Sequence, residues 1–264
     1  MFIALAVLGL VVGCFGTLIG AGGGFLLVPV LVLLYPDDSP ATIASISLAV
    51  VFCNALSGTI AYTRQRRTDV RAGLWFSATA IPGAVLGAIV VNTIPRTAFE
   101  AILGVVLVGA AVFLFLSKPR AVASQASKGD DLFGPRVEYP HALGLALSFA
   151  VGFVSSLLGI GGGIIHVPAL VHALGFPVHV ATATSHFVLA TTAGAGTLTH
   201  IATGAFHEGW RRTIALAVGA VVGAQLGAYW ARHARPTFIL RGLAIALILV
   251  GVRILVHAMN AVHV

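Results

Sequence analysis

Gly20-Ala21-Gly22-Gly23-Gly24-Phe25-Leu26-Leu27-Val28-Pro29 decides how this chain is organised, because the pattern returns as Gly159-Ile160-Gly161-Gly162-Gly163-Ile164-Ile165-His166-Val167-Pro168, 139 residues later. The flanks agree at the same offset: Gly13 with Gly152, Leu18 with Leu157, Leu31 with Leu170. Each copy sets a glycine run inside an apolar segment too long to be one ordinary membrane span. Glycine costs about 1 kcal/mol per residue in a helix interior, so a helix is expected to stop there. In lipid, the backbone groups freed by that stop must be satisfied by protein, ligand or water. Broken apolar segments at corresponding positions of two halves are the sequence pattern of a transporter binding site.

Working outward, composition sets the class. Hydrophobic residues make up 58% of the 264, charged residues 9%, and the mean hydropathy is +1.02. A soluble domain carries roughly 25% charged residues, so this chain cannot cover a water-facing surface and reads as an all-α polytopic membrane protein. The net charge of +7 does not indicate nucleic acid, because the basic residues cluster in short loops. Arg64, Arg66, Arg67 and Arg71 form one group, Lys118, Arg120, Lys128 and Arg136 a second, and Arg211 and Arg212 a third. That is the residue of the positive-inside rule, and it places the first two groups on the cytoplasmic side. Cys14 and Cys53 lie alone in apolar spans and read as small buried side chains rather than a redox or metal pair. The N-terminus has no charged leader region, so its apolar run is expected to stay as a span.

A span needs about 20 apolar residues. The apolar blocks are 1–35 and 142–175, both broken by glycines, and 41–63, 72–91, 98–116, 178–203, 213–231 and 238–256. Pro36, Pro40, Pro95, Pro140, Pro177 and Pro236 fall at block edges, and every Trp and Tyr lies near a block end, as in an aromatic belt. The polar stretch within 118–139 reads as a cytoplasmic linker between a first repeat, 1–117, and a second, 140–264. A 34-residue broken block would measure about 50 Å as one helix, against a hydrocarbon core near 30 Å. Each is therefore expected to fold into a hairpin of two short helices with the glycines at the bend. A hairpin followed by three spans makes the repeats inverted; a single crossing would make them parallel, and charge counting does not separate the two.

Candidate site residues follow from the breaks. A helix restarting near Phe25 or Ile164 has unpaired N–H groups and the positive end of its dipole at the break, which suits an anion. This nominates Gly20, Gly22, Gly23, Gly24, Phe25, Gly159, Gly161, Gly162, Gly163 and Ile164. Few ionisable groups lie within the blocks (Glu100, Arg241 and Arg253, each near an end), so buried carboxylates do not drive this chain. Hydroxyl and amide groups remain: Ser47 and Ser185 correspond between halves, as do Asn54 and Thr192, and Gln225 stands in a later span. Histidine is asymmetric. His166 and His186 occupy repeat positions held by Leu27 and Leu48 in the first half, so they are candidates for substrate bonding or proton relay. His172, His179, His186, His200 and His207 recur at multiples of seven, but Gly175 and Pro177 interrupt any common face, so no metal is expected, and nothing calls for a cofactor.

At the doubled motif, from Gly13 to Pro29 and Gly152 to Pro168, the chain resembles the sulfite exporter TauE/SafE family, also called toluene-sulfonate uptake permeases. Ala181-Thr182-Ala183-Thr184-Ser185 and the small-residue runs Pro82–Ala88 and Gly223–Ala228 extend the likeness over both halves. The resemblance implies a multi-pass transporter of the bacterial inner membrane. It would move sulfite, sulfonates or related organosulfur anions on a proton or other ion gradient, and an oligomer stays open. Two other classes fit the chain less well: a channel, whose flux would not saturate, and an intramembrane hydrolase. The hydrolase lacks an activated nucleophile, since Ser185 and His186 are helix neighbours pointing about 100° apart.

Overall fold

A computed structural model describes residues 2–116, 135–206, 209–231, 248–249 and 251–256. Most of the linker, His207 and much of the last apolar block lie outside the described residues. The described chain is helical without strands: α1 (Phe2–Ile19), α2 (Gly24–Leu34), α3 (Pro40–Arg64), α4 (Val70–Val90), α5 (Arg96–Leu116), α6 (His141–Leu158), α7 (Gly163–His172), α8 (Val178–Ala202) and α9 (Trp210–Trp230). Local sequence explains the starts. The Ser39 side chain accepts from the Thr42 N–H with Pro40 in the first turn, and Asp69 accepts from Ala72 N–H to open α4. Six helices among the described residues are long and apolar enough to cross a membrane: α1, α3, α4, α5, α6 and α9. The 25-residue α8 is not among them, because threonine, serine and histidine dilute its apolar content. Most of α8 is buried inside the protein, where Thr184, Ser185, Thr191 and Thr192 find partners and the rings of His186 and His200 do not.

Both glycine runs break the helix. Gly20 takes a left-handed φ of 84°, which lets its own N–H reach Thr17 O at 3.0 Å and the Ala21 N–H reach Gly16 O at 2.7 Å. The freed carbonyls of α1 are thus closed by the turn itself. The expectation of two short limbs is corrected here: α1 and α6 have 18 residues each, and only α2 and α7, with 11 and 10, are short. The chain does fold back, since a side chain on Gly23 would meet Val12 O at 2.6 Å. The end of α2 then lies where Arg96, opening α5, donates to Val32 O, Tyr35 O and Asp38 O at 3.0, 3.4 and 2.6 Å. Arg212, at the start of α9, joins the same end through Asp38 at 2.6 Å and stacks over Tyr35.

Glycine seams set the helix pairing. Gly9 and Gly13 of α1 touch Leu216 and Ala220 of α9, while Gly223 and Gly227 touch Leu10 and Cys14, so these helices run parallel with backbones in contact. In the other half Gly83 and Gly87 of α4 touch Phe149 and Phe153 of α6, again parallel. Small residues let membrane helices approach this closely and gain dispersion energy that lipid cannot supply. Each half's first helix therefore packs on the other half's later one, with α3 and α8 crossing between them.

Candidate functional site

The two breaks touch. A side chain on Gly24 would lie 2.7 Å from the carbonyl oxygens of Gly159 and Ile160, and one on Gly163 would meet the Gly20 carbonyl. The central helices stitch this contact reciprocally. Ser47 of α3 donates to Gly159 O at 2.6 Å, and Ser185 of α8 donates to Gly20 O at 3.3 Å. Each serine thus satisfies a carbonyl of the opposite half's break. Asn54 donates to Gly22 O at 3.1 Å and accepts from Thr17 Oγ1 at 3.1 Å. Tyr62 OH donates to Thr17 O at 2.7 Å. Phe25 and Ile164 are buried in the apolar core. Val51 and Leu189 cover the outer faces of Gly161 and Gly22. No anion-sized space separates the breaks at their point of contact.

A cavity opens beside them, on the side of the second half. Ser148 and Ser155 of α6, Gly162 and His166 at the start of α7, and Ser185, Leu189 and Thr192 of α8 line it, with Ala80 of α4. Its interior takes about one water molecule at most. His166 Nε2 lies 3.3 Å from Ser148 Oγ, and the ring meets Phe76 edge-on. Gly162 caps the start of α7, so the positive end of the helix dipole faces this space. The repeat counterparts of Ser148, Ser155 and His166 are Gly9, Gly16 and Leu27. In the first half Gly16 closes directly on Gly23, and Leu27 is fully buried. Polar lining therefore belongs to one half.

Of the residues the sequence singled out, the structure brings Gly162, His166 and Ser185 to the cavity, with Thr192. Ser47, Asn54 and the other glycines line the contact between breaks. Gln225 sits apart, on an exposed face of α9, where its amide donates to Ser57 O and Oγ at 3.0 and 2.7 Å. His186 is buried against Gly58 and meets the Tyr62 ring edge-on at 5.6 Å. Sequence reasoning missed Ser148 and Ser155. Their spacing of seven puts both on one face of α6, and glycines at both repeat counterparts were the available signal. Among the described residues no group of three or more His, Cys, Asp or Glu converges to hold a metal ion.

At the basic end, Asp69 is the buried charge. Its carboxylate accepts from the N–H groups of Ala72 at 2.9 Å and Val137 at 3.1 Å, and its own N–H donates to Thr184 Oγ1 at 3.0 Å. Burial pushes this carboxyl above its usual value, against the lowering by those N–H bonds and by Arg71. Asp69 thereby fastens the end of the linker and α8 to the α3–α4 turn.

Comparison with known proteins agrees with this architecture. The chain is 34% identical to the probable membrane transporter protein YunE of Bacillus subtilis, over 96% of this chain and 97% of that one. It is 28% identical to a probable membrane transporter protein of Methanocaldococcus jannaschii, over 75% of this chain and 71% of the relative. No solved structure matches the chain. The profile of the family described as sulfite exporter TauE/SafE matches residues 5–254. With nearly the whole chain matched and two glycine-broken helices at corresponding positions in an all-helical, multi-pass fold, the protein belongs to the sulfite exporter TauE/SafE family of membrane transporters.

Proposed function

We propose that this chain is a secondary transporter that carries a small sulfur-containing oxyanion, sulfite or an organosulfonate, by alternating access and without covalent chemistry. The observation that carries the reading is the cavity: Ser148, Ser155, His166, Ser185 and Thr192 converge beside the start of α7, with no carboxylate among the lining residues. Hydroxyl and imidazole N–H groups donate to oxyanion oxygens once Ser185 turns from Gly20 O and Thr192 from Val188 O, and the helix start adds a positive potential without a buried cation. A water-sized interior corresponds to a nearly closed site, which an anion occupies when α7 and α8 part. The halves 1–117 and 140–264 then act as inverted repeats about a cytoplasmic linker, 118–139. In support, α3 starts at the Arg96–Asp38 end, whereas its counterpart α8 starts near Asp69 at the opposite end. The sulfur-containing class comes from the family's name, and the donor set is compatible with it.

Thermal-shift screening of the purified protein against sulfite, sulfate, thiosulfate and sulfonates, followed by uptake into proteoliposomes, tests this. Replacing Ser155 by Ala and His166 by Leu together should weaken binding about 10-fold or more, as expected for losing hydrogen bonds to a charged ligand. Unchanged affinity in the double variant, or flux that never saturates, would count against it.

A further inference from the structure

We propose that His186 carries the proton that couples anion movement to a pH gradient; this rests on the transport reading above. His186 on α8 is fully buried, and neither ring nitrogen has a hydrogen-bond partner. The hydroxyls beside it are paired elsewhere: Ser185 to Gly20 O and Tyr62 to Thr17 O. A buried imidazole left unpaired is costly, and the fold does not need one in this socket. The repeat relation makes the point. Gly58 faces His186 on one side of the crossing, and its counterpart Gly196 faces Leu48, with Leu48 Cδ1 at 3.0 Å from a side chain built there. Leucine fills the equivalent socket in the first half, so packing alone does not require histidine. What histidine adds is a site for a proton.

The surroundings determine what that proton does. From α3 the ring faces Tyr62, with Arg67 beyond it acting on Tyr62; from α1 it faces Thr17 near Gly58. From the break, the Gly20 carbonyl acts on the ring without reaching hydrogen-bond geometry. On α8 itself the nearest titratable group is His179, two turns toward the basic end. Neither α1, α3 nor α8 contains an Asp or Glu. From the start of α4, Asp69 is bonded through its own N–H to Thr184 on α8, but its carboxylate is taken by the Ala72 and Val137 N–H groups. Among the described residues no carboxylate is paired with the His186 ring, and Ser185, which lines the cavity, donates to the same Gly20 carbonyl that acts on the ring. A bound anion supplies the missing negative charge, and opposite charges attract strongly in a poorly solvated interior. By linkage, proton and anion each raise the other's affinity by the same factor. The proton enters on an imidazole nitrogen from one side and leaves to water on the other as the anion is released, so the two move as a neutral pair.

The test uses full-length protein in liposomes with methanesulfonate, which stays ionised throughout the working pH range, so any proton moved belongs to the protein; sulfite serves as second substrate. Wild type should show both exchange of labelled anion at equal pH and uphill accumulation under a pH gradient, up to about tenfold per pH unit for one-to-one coupling. His186→Leu, which installs the side chain of the matching socket, should keep saturable exchange, with a weaker anion affinity that no longer changes with pH, and lose accumulation. His186→Gln, polar but not titrating, should behave the same way. Accumulation that survives in either variant overturns the proposal and leaves transport standing. Loss of exchange in both, with normal folding, overturns it in favour of direct anion binding by His186. Wild-type protein that moves neither anion sinks the transport reading, and this inference with it.

Discussion

Ser47 and Ser185 are repeat counterparts with the same bond and different surroundings. The Ser47 bond to Gly159 O is the shorter, 2.6 against 3.3 Å, while only Ser185 also lines the cavity. Ser47→Ala should therefore act mainly on stability, by about 0.6–2 kcal/mol, and Ser185→Ala mainly on anion affinity. Unfolding midpoints in detergent and methanesulfonate titrations of both variants check this division. The break glycines are poorer probes. Gly23 holds a left-handed φ of 84° with Val12 O in the way, so Gly23→Leu strains the backbone before it touches any ligand. Asp69 gives a pH dependence. Its folded pKa is raised above the unfolded value of about 3.9. The stability it contributes is complete below that value and is lost as pH rises through the folded one. The unfolding midpoint of wild type relative to Asp69→Asn should fall as pH rises above about 4; a difference that is flat or grows would contradict burial as the main cause.

At the scale of elements, the seams between α1 and α9 and between α4 and α6 depend on glycine. A side chain on Gly219 would run into the Ala6 carbonyl across the seam, with no flexible atom to yield. Gly219→Val should destabilise by about 1–3 kcal/mol, the usual cost of overpacking, read as a lowered unfolding midpoint. Gly109, which has open space around it, provides the control, since Gly109→Val should cost much less. The seams were only partly legible in the sequence. The small-residue runs at Pro82–Ala88 and Gly223–Ala228 could be matched as repeats, but their partners in α6 and α1 come from opposite halves. Pairing across halves leaves no local pattern to read.

At the scale of the molecule, the helix ends sort into two faces. Asp37 is exposed at the end shared by Arg96 and Arg212, and Arg71 and Glu138 are exposed at the end held by Asp69. Single cysteines replacing Arg71 and Glu138 should be labelled by an impermeant thiol reagent only from the cytoplasmic side, and one replacing Asp37 only from the other. Background is low because Cys14 is buried and Cys53 half-buried. Labelling of Asp37→Cys and Arg71→Cys from the same side would break the inverted arrangement and, with it, alternating access by symmetry.

Composition, periodicity and the doubled glycine run were enough to determine an all-helical, multi-pass protein of two related halves, each broken at one place. They were enough because hydropathy and helix-breaking are properties of short windows, with no need of a partner. The site itself was decided by tertiary structure. His166, Ser185 and Thr192 were visible as repeat positions, but the cavity's remaining hydroxyls, Ser148 and Ser155, come from α6, and whether a break opens onto space or onto another backbone depends on which helices meet there. One half's break is closed by glycine against glycine, and the other's borders a hydroxyl-lined cavity. That difference arises from packing between residues more than a hundred positions apart, which no local window contains.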